Sequence, residues 1–275
     1  MKIVCVVEND VSKGFDLQSE HGLSFWIETP HGVVLFDTGQ TDSVFSHNLK
    51  TLGLSLQKVT ALALSHAHYD HTGGFETVLT TQKDMPIYAS PDIFRPRYAL
   101  RNGEYQTAGI KFDQSRLASL AKINLCDQPI EIIPGLWTTG VIVERPEPIG
   151  SSPHLFIRTG KGWEADSYLD DMSLVYKTSS GLILICGCCH AGLVNTLFHV
   201  KCLFTEPIIA VIGGIHLIHA DDQYLDHVVS VIAESFPKLD LYLNHCTGEN
   251  AFEKLSKAFG KRVYKCPAGT VLEFI

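Results

Sequence analysis

The chain has 275 residues, 45% of them hydrophobic, and its 22 basic and 30 acidic side chains give a formal net charge of −8. This length predicts one elaborated domain over 1–275, and the acidic balance argues against duplex nucleic acid as a partner. The apolar runs are far shorter than the roughly 20 residues that cross a bilayer, so we expect no membrane partner and a cytoplasmic location.

The first part of the chain alternates short apolar runs with segments of helical period, which is typical of an α/β protein. The turn sequence Pro30-His31-Gly32 separates two strand-like runs and predicts a β-hairpin. The predicted elements are, in chain order, a buried strand ending at 8–10, a hairpin over 23–36, a helix over 42–52, a strand over 61–64 and a helix over about 74–80.

Residues from about 86 to 166 differ in composition from the rest of the chain. This range contains arginines, several prolines and only weak signals for secondary structure, namely a short helix at 115–121 and strands at 130–133 and 137–143. We interpret it as an insertion that covers the site like a lid. The alternation of apolar strand-like runs with helical segments then returns, with strands predicted at 173–177, 182–186, 208–212, 239–243 and 270–274.

The cysteines suggest metal or redox chemistry rather than a disulfide framework. Eight cysteines is an even number, but a long chain without an export signal does not need such bridges. Cys186, Cys188 and Cys189 crowd directly before His190, and thiols beside an imidazole are typical of metal or redox sites. We therefore expect these three thiols to be reduced.

Five predicted core strands end at or near a residue that can bind a metal ion. These residues are Asp37, His66, His190, His216 and His245. Ligands gather beyond strand ends in open α/β sheets, so five such endings from distant parts of the chain predict a metal site at one sheet edge. One such histidine alone would carry little weight, since most are structural.

The hexapeptide His66-Ala67-His68-Tyr69-Asp70-His71 carries most of this prediction. Side chains two residues apart face the same way in extended backbone, so the first two histidines can hold one ion. The aspartate and the last histidine then point to a neighbouring position, a spacing that suits two adjacent metals. Imidazole and carboxylate suit Zn²⁺, Fe²⁺ and Mn²⁺, and without a cation four such groups would carry a large desolvation cost.

Neighbouring groups indicate that the substrate is a small anion. Gly73 and Gly74 open the helix that follows the hexapeptide, and backbone N–H groups at a helix start can bind an anionic group. Arg97 belongs to an arginine cluster in the predicted insertion, and a guanidinium suits a phosphate or a carboxylate. The alternative for this cluster is a solvated surface.

These segments resemble a known family. The hexapeptide resembles the His-x-His-x-Asp-His signature of the metallo-β-lactamase-fold superfamily, and Leu-Phe-Asp-Thr-Gly at 35–39 matches the strand and turn before it. A narrower similarity is to the subgroup of metal-dependent hydrolases labelled dihydropterin-ribofuranosylaminobenzene-phosphate synthase-like. The segments that carry it are 20–24, 170–174, 187–195, 213–217 and 245–248. The resemblance implies an αββα sandwich with the metals at the edge between its two sheets.

The chain departs from the superfamily pattern at one position. Members usually place an Asp that bridges both metals after a Gly, behind the strand that corresponds to 182–186. Here Cys188 follows Gly187. The number of ions, one or two, is therefore left open, with zinc as the first expectation and iron or manganese as alternatives.

The predicted metal ligands are His66, His68, Asp70, His71, His190 and His245. His190 is expected to complete the set begun by the first two histidines of the hexapeptide, and His245 matches the final histidine of the superfamily. Candidates for a further metal or substrate contact are His216, Cys188 and Asp171, and His21 is a candidate for the pocket wall. His154 and His219 are expected to be solvated rather than ligands.

The function that these residues indicate is a metal-dependent hydrolase. A metal ion lowers the pKa of a bound water from about 15.7 toward about 7, and Asp70 is the predicted catalytic residue that steers this water. A phosphoester is the first candidate substrate, with a lactone or thioester left open. Two alternatives stay open: a condensing enzyme that joins a pterin precursor to a ribosylaminobenzene phosphate, as the resemblance implies, and a non-catalytic metal or redox sensor.

Overall fold

The apolar runs of the sequence form the strands of a mixed α/β protein. The structure is a computed structural model that describes residues 1–112 and 114–275. β-Branched and aromatic residues fill these runs, and such residues pack well on a pleated surface. The strands are, in chain order, β1 (Lys2–Val7), β2 (Ser24–Thr29), β3 (Gly32–Phe36), β4 (Val59–Ala63), β5 (Pro86–Ala89), β6 (Arg97–Arg101), β7 (Glu104–Thr107), β8 (Lys122–Leu125), β9 (Glu131–Ile133), β10 (Leu136–Thr138), β11 (Leu155–Thr159), β12 (Gly162–Ala165), β13 (Leu174–Lys177), β14 (Leu182–Cys186), β15 (Ile208–Gly213), β16 (Asp240–Leu243), β17 (Val263–Lys265) and β18 (Val271–Glu273).

Seven strands form the first sheet, in the order β18-β1-β2-β3-β4-β5-β8. β2 and β3 are the predicted antiparallel hairpin, with Phe25 opposite Phe36. β4, β5 and β8 continue the sheet from β3 in parallel. The carboxyl ends of β3 and β4 therefore lie side by side at one edge of the sheet.

A second sheet of seven strands has the order β17-β16-β15-β14-β13-β10-β9. β14, β15, β16 and β17 run parallel, with Leu184 opposite Val211 and Ile185 opposite Ile212. β14 and β15 are apolar along their whole length because both of their faces are covered, whereas β16 begins with Asp240 and β17 ends with Lys265. Their carboxyl ends also share one edge.

Helices connect the parallel strands. Side chains cap the first turn of two of them, since Thr41 accepts a hydrogen bond from the N–H of Val44 and Asp221 accepts one from the N–H of Tyr224. The described helices are α1 (Asp42–Thr51), α2 (Tyr69–Thr72), α3 (Phe75–Thr81), α4 (Gln114–Ala118), α5 (Leu193–Leu203), α6 (Asp222–Ser235) and α7 (Glu249–Phe259). None of these described helices combines the length and the apolar character needed to span a membrane.

The two large sheets pack face to face and carry helices on their outer faces. Phe25, Ile27 and Phe36 of the first sheet meet Ile183 and Ile185 of the second in one buried cluster. The outer face of the first sheet packs against α1 and α3, and that of the second against α5, α6 and α7. The predicted α/β class and its αββα sandwich are confirmed.

A third, smaller sheet has the strand order β12-β11-β6-β7. The rings of Tyr105 and Trp163 stack on it with centroids 3.7 Å apart. All four strands fall within the range 86–166, but β5 and β8 of that range belong to the first sheet and β9 and β10 to the second. The interpretation of 86–166 as one lid-like insertion stays a prediction.

Two local predictions in this range differ from the structure. The strand predicted at 137–143 ends at Thr138, because Gly140 has a φ of 65°, a left-handed conformation that a strand does not contain. The short helix predicted at 115–121 is α4, which ends at Ala118. Both signals were weak because the segments are short and lack strong periodicity.

Candidate metal centre

The strand ends that carry metal-binding residues converge at one edge of the sandwich. His66 follows β4 in the first sheet, while His190, His216 and His245 lie in the segments after β14, β15 and β16 in the second. The ring centroids of His66 and His190 are 4.9 Å apart, and those of His190 and His216 are 4.3 Å apart. Both sheets therefore supply side chains to one site.

Sharp backbone turns follow these strands. Asp37, Cys189, His216 and His245 have φ values of 59°, 59°, 41° and 53°. Residues other than glycine rarely occupy this left-handed region, although Asp and His enter it more readily than most. Such conformations persist where the surrounding structure enforces them, and they are typical of functional sites.

His66, His68 and His190 form what we call the three-histidine position. One ring nitrogen from each lies within 4.8 Å of the others, and all three side chains are buried. Within the described part of the chain, the Nε2 atoms of His68 and His190 have no hydrogen-bond partner. Burying a polar atom without a partner costs free energy, so these atoms fit a bound cation, which would give each of them a partner.

The protonation state of these rings also suits a metal ion. His190 Nδ1 lies 2.5 Å from the carbonyl oxygen of Gly150, and donating there leaves the lone pair of its Nε2 free. Burial lowers the pKa of His68 to about 3, and burial with neighbouring histidines lowers the pKa of His66 and His190 well below the ordinary value. All three imidazoles are therefore neutral at pH 7, the form that binds metal.

Asp70, Cys188, His245 and Cys246 belong to two overlapping groups that share His245, and together we call them the mixed position. Asp70 Oδ2 lies 3.4 Å from His245 Nε2, and the ligand atoms of Cys188, His245 and Cys246 lie within 4.8 Å of one another. Burial alone would raise the pKa of Asp70, but the surrounding histidines bring this pKa well below its usual range. The carboxylate is therefore ionised and can serve as a ligand.

His71 lies between the two positions. Its Nε2 is 3.2 Å from Cys188 Sγ and 3.2 Å from His245 Nε2, and its ring centroid is 4.2 Å from that of His66. Burial acts to lower the pKa of His71, but nearby carboxylates, Asp37 first among them, raise it above the ordinary value. His71 Nε2 thus lies near ligand atoms of both positions, and the residue also groups with His66 and Cys188.

Asp37, one of the strand-end residues able to bind a metal ion, supports this site from behind. Its two oxygens accept hydrogen bonds from the backbone N–H of Ser65 at 2.7 Å and the Ser65 hydroxyl at 2.6 Å, and its Oδ2 lies 2.7 Å from His71 Nδ1. Protein donors therefore occupy both oxygens. Asp37 fixes the orientation of the His71 ring instead.

Two adjacent carboxylates hold the loops that carry the histidines. Asp170 Oδ2 accepts the N–H of Ala67, within the hexapeptide, at 2.7 Å. Asp171 Oδ2 accepts the N–H of Ala191, next to the third histidine, at 2.8 Å. Both carboxylates are buried. Asp171 was a candidate for a metal or substrate contact, and the structure places it as a support of the His190 loop.

Arg97 does not reach the site, and its predicted role in anion binding is wrong. Its side chain is fully buried and its nitrogens pair with carboxylate oxygens of Asp92 at 3.0 Å, Asp166 at 3.1 Å and Asp170 at 2.7 Å. A solvated surface position is excluded by the same burial. An isolated guanidinium is too costly to bury, and these carboxylates compensate its charge.

Gly73 and Gly74 are packing positions rather than an anion site. A Cβ atom at Gly73 would collide with the backbone of Gln40, and one at Gly74 would collide with the carbonyl oxygen of Thr38 and with the ring of Phe45. Neither glycine is among the described residues that line the cavity at the metal centre. The close approach of the chain, not a ligand, explains both residues.

A cavity of about 680 Å³ opens in front of both positions. His21 and His216 belong to its wall. His21 Nε2 lies 3.4 Å from Asp70 Oδ2, and its ring stacks on His245 with centroids 5.0 Å apart. His216 Nδ1 is buried without a partner, and burial lowers the pKa of His216 to about 4. Both predicted candidates therefore lie where a substrate would contact them.

Sequence reasoning missed three groups at this site. Cys246 belongs to the mixed position, and His154 and His219, which are exposed as expected, also line the cavity. Cys246 directly follows a strand-end histidine, and that placement is a signal that could have identified it. His154 precedes β11 in the third sheet and carries no comparable signal.

The cysteines have free thiols, as expected for the cluster before His190. All eight lie within the described ranges and none is bridged. Six of them form three neighbouring pairs, Cys5 with Cys266, Cys186 with Cys189 and Cys188 with Cys246.

Comparison with known proteins agrees with this geometry. The profile of the metallo-β-lactamase superfamily matches residues 19–161, just over half of the chain. The chain belongs to the metallo-β-lactamase superfamily. A 7,8-dihydropterin-6-methyl-4-(β-D-ribofuranosyl)-aminobenzene-5'-phosphate synthase from Methanocaldococcus jannaschii is 30% identical over 292 residues, which cover 100% of this chain and 97% of that protein. The predicted superfamily and synthase-like subgroup are thus confirmed.

Solved structures of the superfamily share the fold. The crystal structure of Tm1679, described as a metal-dependent hydrolase of the β-lactamase superfamily, has a TM-score of 0.83 at 27% identity and covers 100% of this chain and 99% of that one. Zn²⁺-bound PqqB from Methylobacterium extorquens has a TM-score of 0.60 at 10% identity, with 100% of both chains covered. The latter likeness concerns the fold alone.

Replacing His68 with alanine tests the three-histidine position. We expect His68→Ala to lower metal affinity by more than the roughly 10- to 100-fold typical for residues that merely orient a ligand, because it removes a ligand atom itself. Elemental analysis after dialysis gives the stoichiometry. His31→Ala, at an exposed turn, is the matched control and should keep the wild-type metal content. Equal metal content in both variants would contradict the assignment.

Replacing Arg97 with methionine tests its structural role. The substitution leaves Asp166 and Asp170 buried without their countercharge, so we expect the free energy of unfolding to fall by about 3–5 kcal/mol. Urea titration measures this change. Arg158→Met, at an exposed position of the third sheet, is the control, and Arg97→Met combined with Asp170→Asn should recover part of the loss. A change below about 1 kcal/mol in Arg97→Met would rule out this role.

Proposed function

We propose that this protein is a metal-dependent hydrolase that acts on a small anionic ester. The observation that carries the proposal is the pair of unpartnered Nε2 atoms of buried His68 and His190 at the edge of the cavity. When bound there, a divalent transition-metal ion polarises an electrophilic oxygen and lowers the pKa of water to about 7. Membership of a superfamily rich in metal-dependent hydrolases supports the proposal at this coarse level.

The donor sets of the two positions favour zinc. The three-histidine position offers neutral imidazoles, and the mixed position adds the carboxylate of Asp70, the imidazole of His245 and the thiol of Cys188. Nitrogen and sulfur donors are typical of zinc sites, whereas magnesium and calcium prefer oxygen. We therefore propose zinc, with iron and manganese as alternatives, at the three-histidine position first and at the mixed position second.

Asp70 is the proposed catalytic residue. Its Oδ2 lies 3.4 Å from His21 Nε2, 3.4 Å from His245 Nε2 and 3.6 Å from His71 Nε2, and the residue lines the cavity. An ionised carboxylate held in this way can accept a hydrogen bond from the attacking water at Oδ2 and thereby orient it. Orientation of the reacting groups can contribute about 10²-fold or more to the rate.

A condensing enzyme is the second candidate function. It is favoured by the full-length match to the dihydropterin-ribofuranosylaminobenzene-phosphate synthase, which at 30% identity covers nearly the whole of both chains. In such a reaction, the cavity would hold two substrates at once and water would have to be excluded. The same metal ligands would serve both reactions, so the two candidates differ in the substrates that they accept.

An ester panel tests the proposal. Metal-loaded protein is incubated with p-nitrophenyl phosphate, a phosphodiester, a lactone and a thioester, before and after removal of the metal with a chelator and after zinc is added back. We expect hydrolysis of at least one ester, its loss on chelation and its recovery with zinc. A wild-type rate that survives chelation would falsify the hydrolase proposal.

Replacing Asp70 with asparagine tests the catalytic residue. We expect Asp70→Asn to lower kcat/KM for the accepted ester about 10²-fold or more at saturating zinc, because the neutral amide no longer orients the water as the carboxylate does. Asp16→Asn, at an exposed position, is the control and should keep the wild-type rate.

Turnover only when two substrates are supplied would favour the condensing enzyme. No turnover at all, with reversible metal loss on mild oxidation, would favour a sensor.

A further inference from the structure

Arg101 is a cavity residue whose charge has no acidic partner among the described residues. It ends β6, its side chain is exposed, and it lines the cavity in front of the metal positions. Its Nη2 donates to the hydroxyl of Tyr69 at 3.2 Å, and its guanidinium carbon lies 5.7 Å from the centroid of that ring. No ion pair links it to a carboxylate of residues 1–112 or 114–275. Arg97, four residues earlier on the same strand, pairs with three.

The contact with Tyr69 ties this guanidinium to the metal centre. Tyr69 lies between His68 and Asp70 in the hexapeptide, and its backbone N–H donates to the carbonyl oxygen of Ala108 beside the third sheet. The guanidinium is therefore held against the metal-binding loop, while the residue as a whole is exposed and lines the cavity. Arg101 is positioned by protein contacts without being neutralised by them.

The wall around Arg101 offers donors and almost no negative charge. The imidazoles of His154 and His219 and the side chains of Ser152 and Asn102 line the same cavity. The backbone N–H of Leu100 donates to the carbonyl oxygen of His154 at 2.8 Å, which keeps the ends of β6 and β11 together. Asp70 is the only carboxylate among the described residues that line the cavity, and histidines surround it.

This distribution contrasts with the rest of the protein. The chain carries a net charge of −8, yet the cavity combines one arginine and several imidazoles with a single carboxylate. A guanidinium fork surrounded by neutral donors is suited to an anion with several acceptor oxygens, since charge-assisted hydrogen bonds are the strong ones. A phosphate monoester has three such oxygens, whereas a carboxylate has two.

We infer that Arg101 binds a phosphate group of the substrate at the end of the cavity formed by the third sheet, with His154 and His219 as neighbouring donors. The inference rests on the proposed function and narrows its substrate class to small molecules that carry a phosphate monoester away from the reacting bond. The phosphate at Arg101 is a handle for binding and is not the group that reacts. Arg101 is accordingly a specificity residue for the reaction at the metals.

Binding of inorganic phosphate to metal-free protein isolates this contact. Calorimetric titration at pH 8 and low ionic strength is the measurement, because the metal is absent and salt does not screen the charge. We expect Arg101→Gln to weaken phosphate binding about 10-fold or more, the size of a lost charge-assisted hydrogen bond. Arg158→Gln, elsewhere on the third sheet, should bind phosphate as the wild type does, and Arg101→Lys should bind with intermediate affinity.

Three outcomes would overturn the inference. Arg101→Gln could bind phosphate as tightly as the wild type, both Gln variants could lose affinity equally, or benzoate could bind to Arg101 more tightly than phosphate. Arg101 is exposed, so the melting temperature of Arg101→Gln without phosphate should match the wild type and separate a binding defect from misfolding.

Kinetics distinguishes this inference from the proposed function. If an ester with a second, phosphate-bearing end is hydrolysed, we expect Arg101→Gln to raise KM and to leave kcat within a few-fold. An unchanged KM would overturn the assignment of Arg101 while leaving the hydrolase intact. Arg101-dependent phosphate binding in a protein that hydrolyses no ester would support the subsite and refute the hydrolase proposal alone.

Discussion

Buried carboxylates that accept hydrogen bonds from two loops hold the whole metal edge together. Asp170 receives the N–H of Ala67 from the first sheet, and Asp171 receives the N–H of Ala191 from the second. Asp37 adds a third anchor through its hydrogen bonds with Ser65 and with the ring of His71. A buried acceptor that loses its donor costs the full desolvation of the group, so these loops have one favourable arrangement. These hydrogen bonds fix the backbone of the loops, and the loops in turn place the histidine side chains at the site.

The strand β6 connects this arrangement to the outer part of the cavity. Arg97 at its start compensates the charge of Asp170 inside the protein, and Arg101 at its end faces the cavity. Two arginines four residues apart thus have different surroundings, one with three carboxylates and one with a tyrosine hydroxyl. The ion pair between Arg97 and Asp170 therefore connects the third sheet to the loops of the metal centre. Arg101 extends from the same strand to the wall of the cavity.

Most of the sandwich and the local part of the site could be predicted from the sequence. Strands buried on both faces are continuous apolar runs, and the ligands from His66 to His71 lie within six residues. Contacts between distant segments left no local signal: the carboxylates around Arg97, the close approach of Gln40 to Gly73 and the place of His154 in the cavity wall. The third sheet was equally hidden, since its strands are short and only partly buried. Pairing across the chain decided all of these features.

The left-handed turns at Asp37, Cys189, His216 and His245 have a consequence for the evolution of this protein. Each such conformation costs about 1 kcal/mol or more, and together they amount to a sizeable part of the roughly 5–15 kcal/mol by which domains are stable. The apolar layers between and outside the sheets have to offset this strain. The core consequently tolerates fewer destabilising substitutions than the size of the protein suggests. A packing defect far from the metal centre adds to the destabilisation that the left-handed turns already impose.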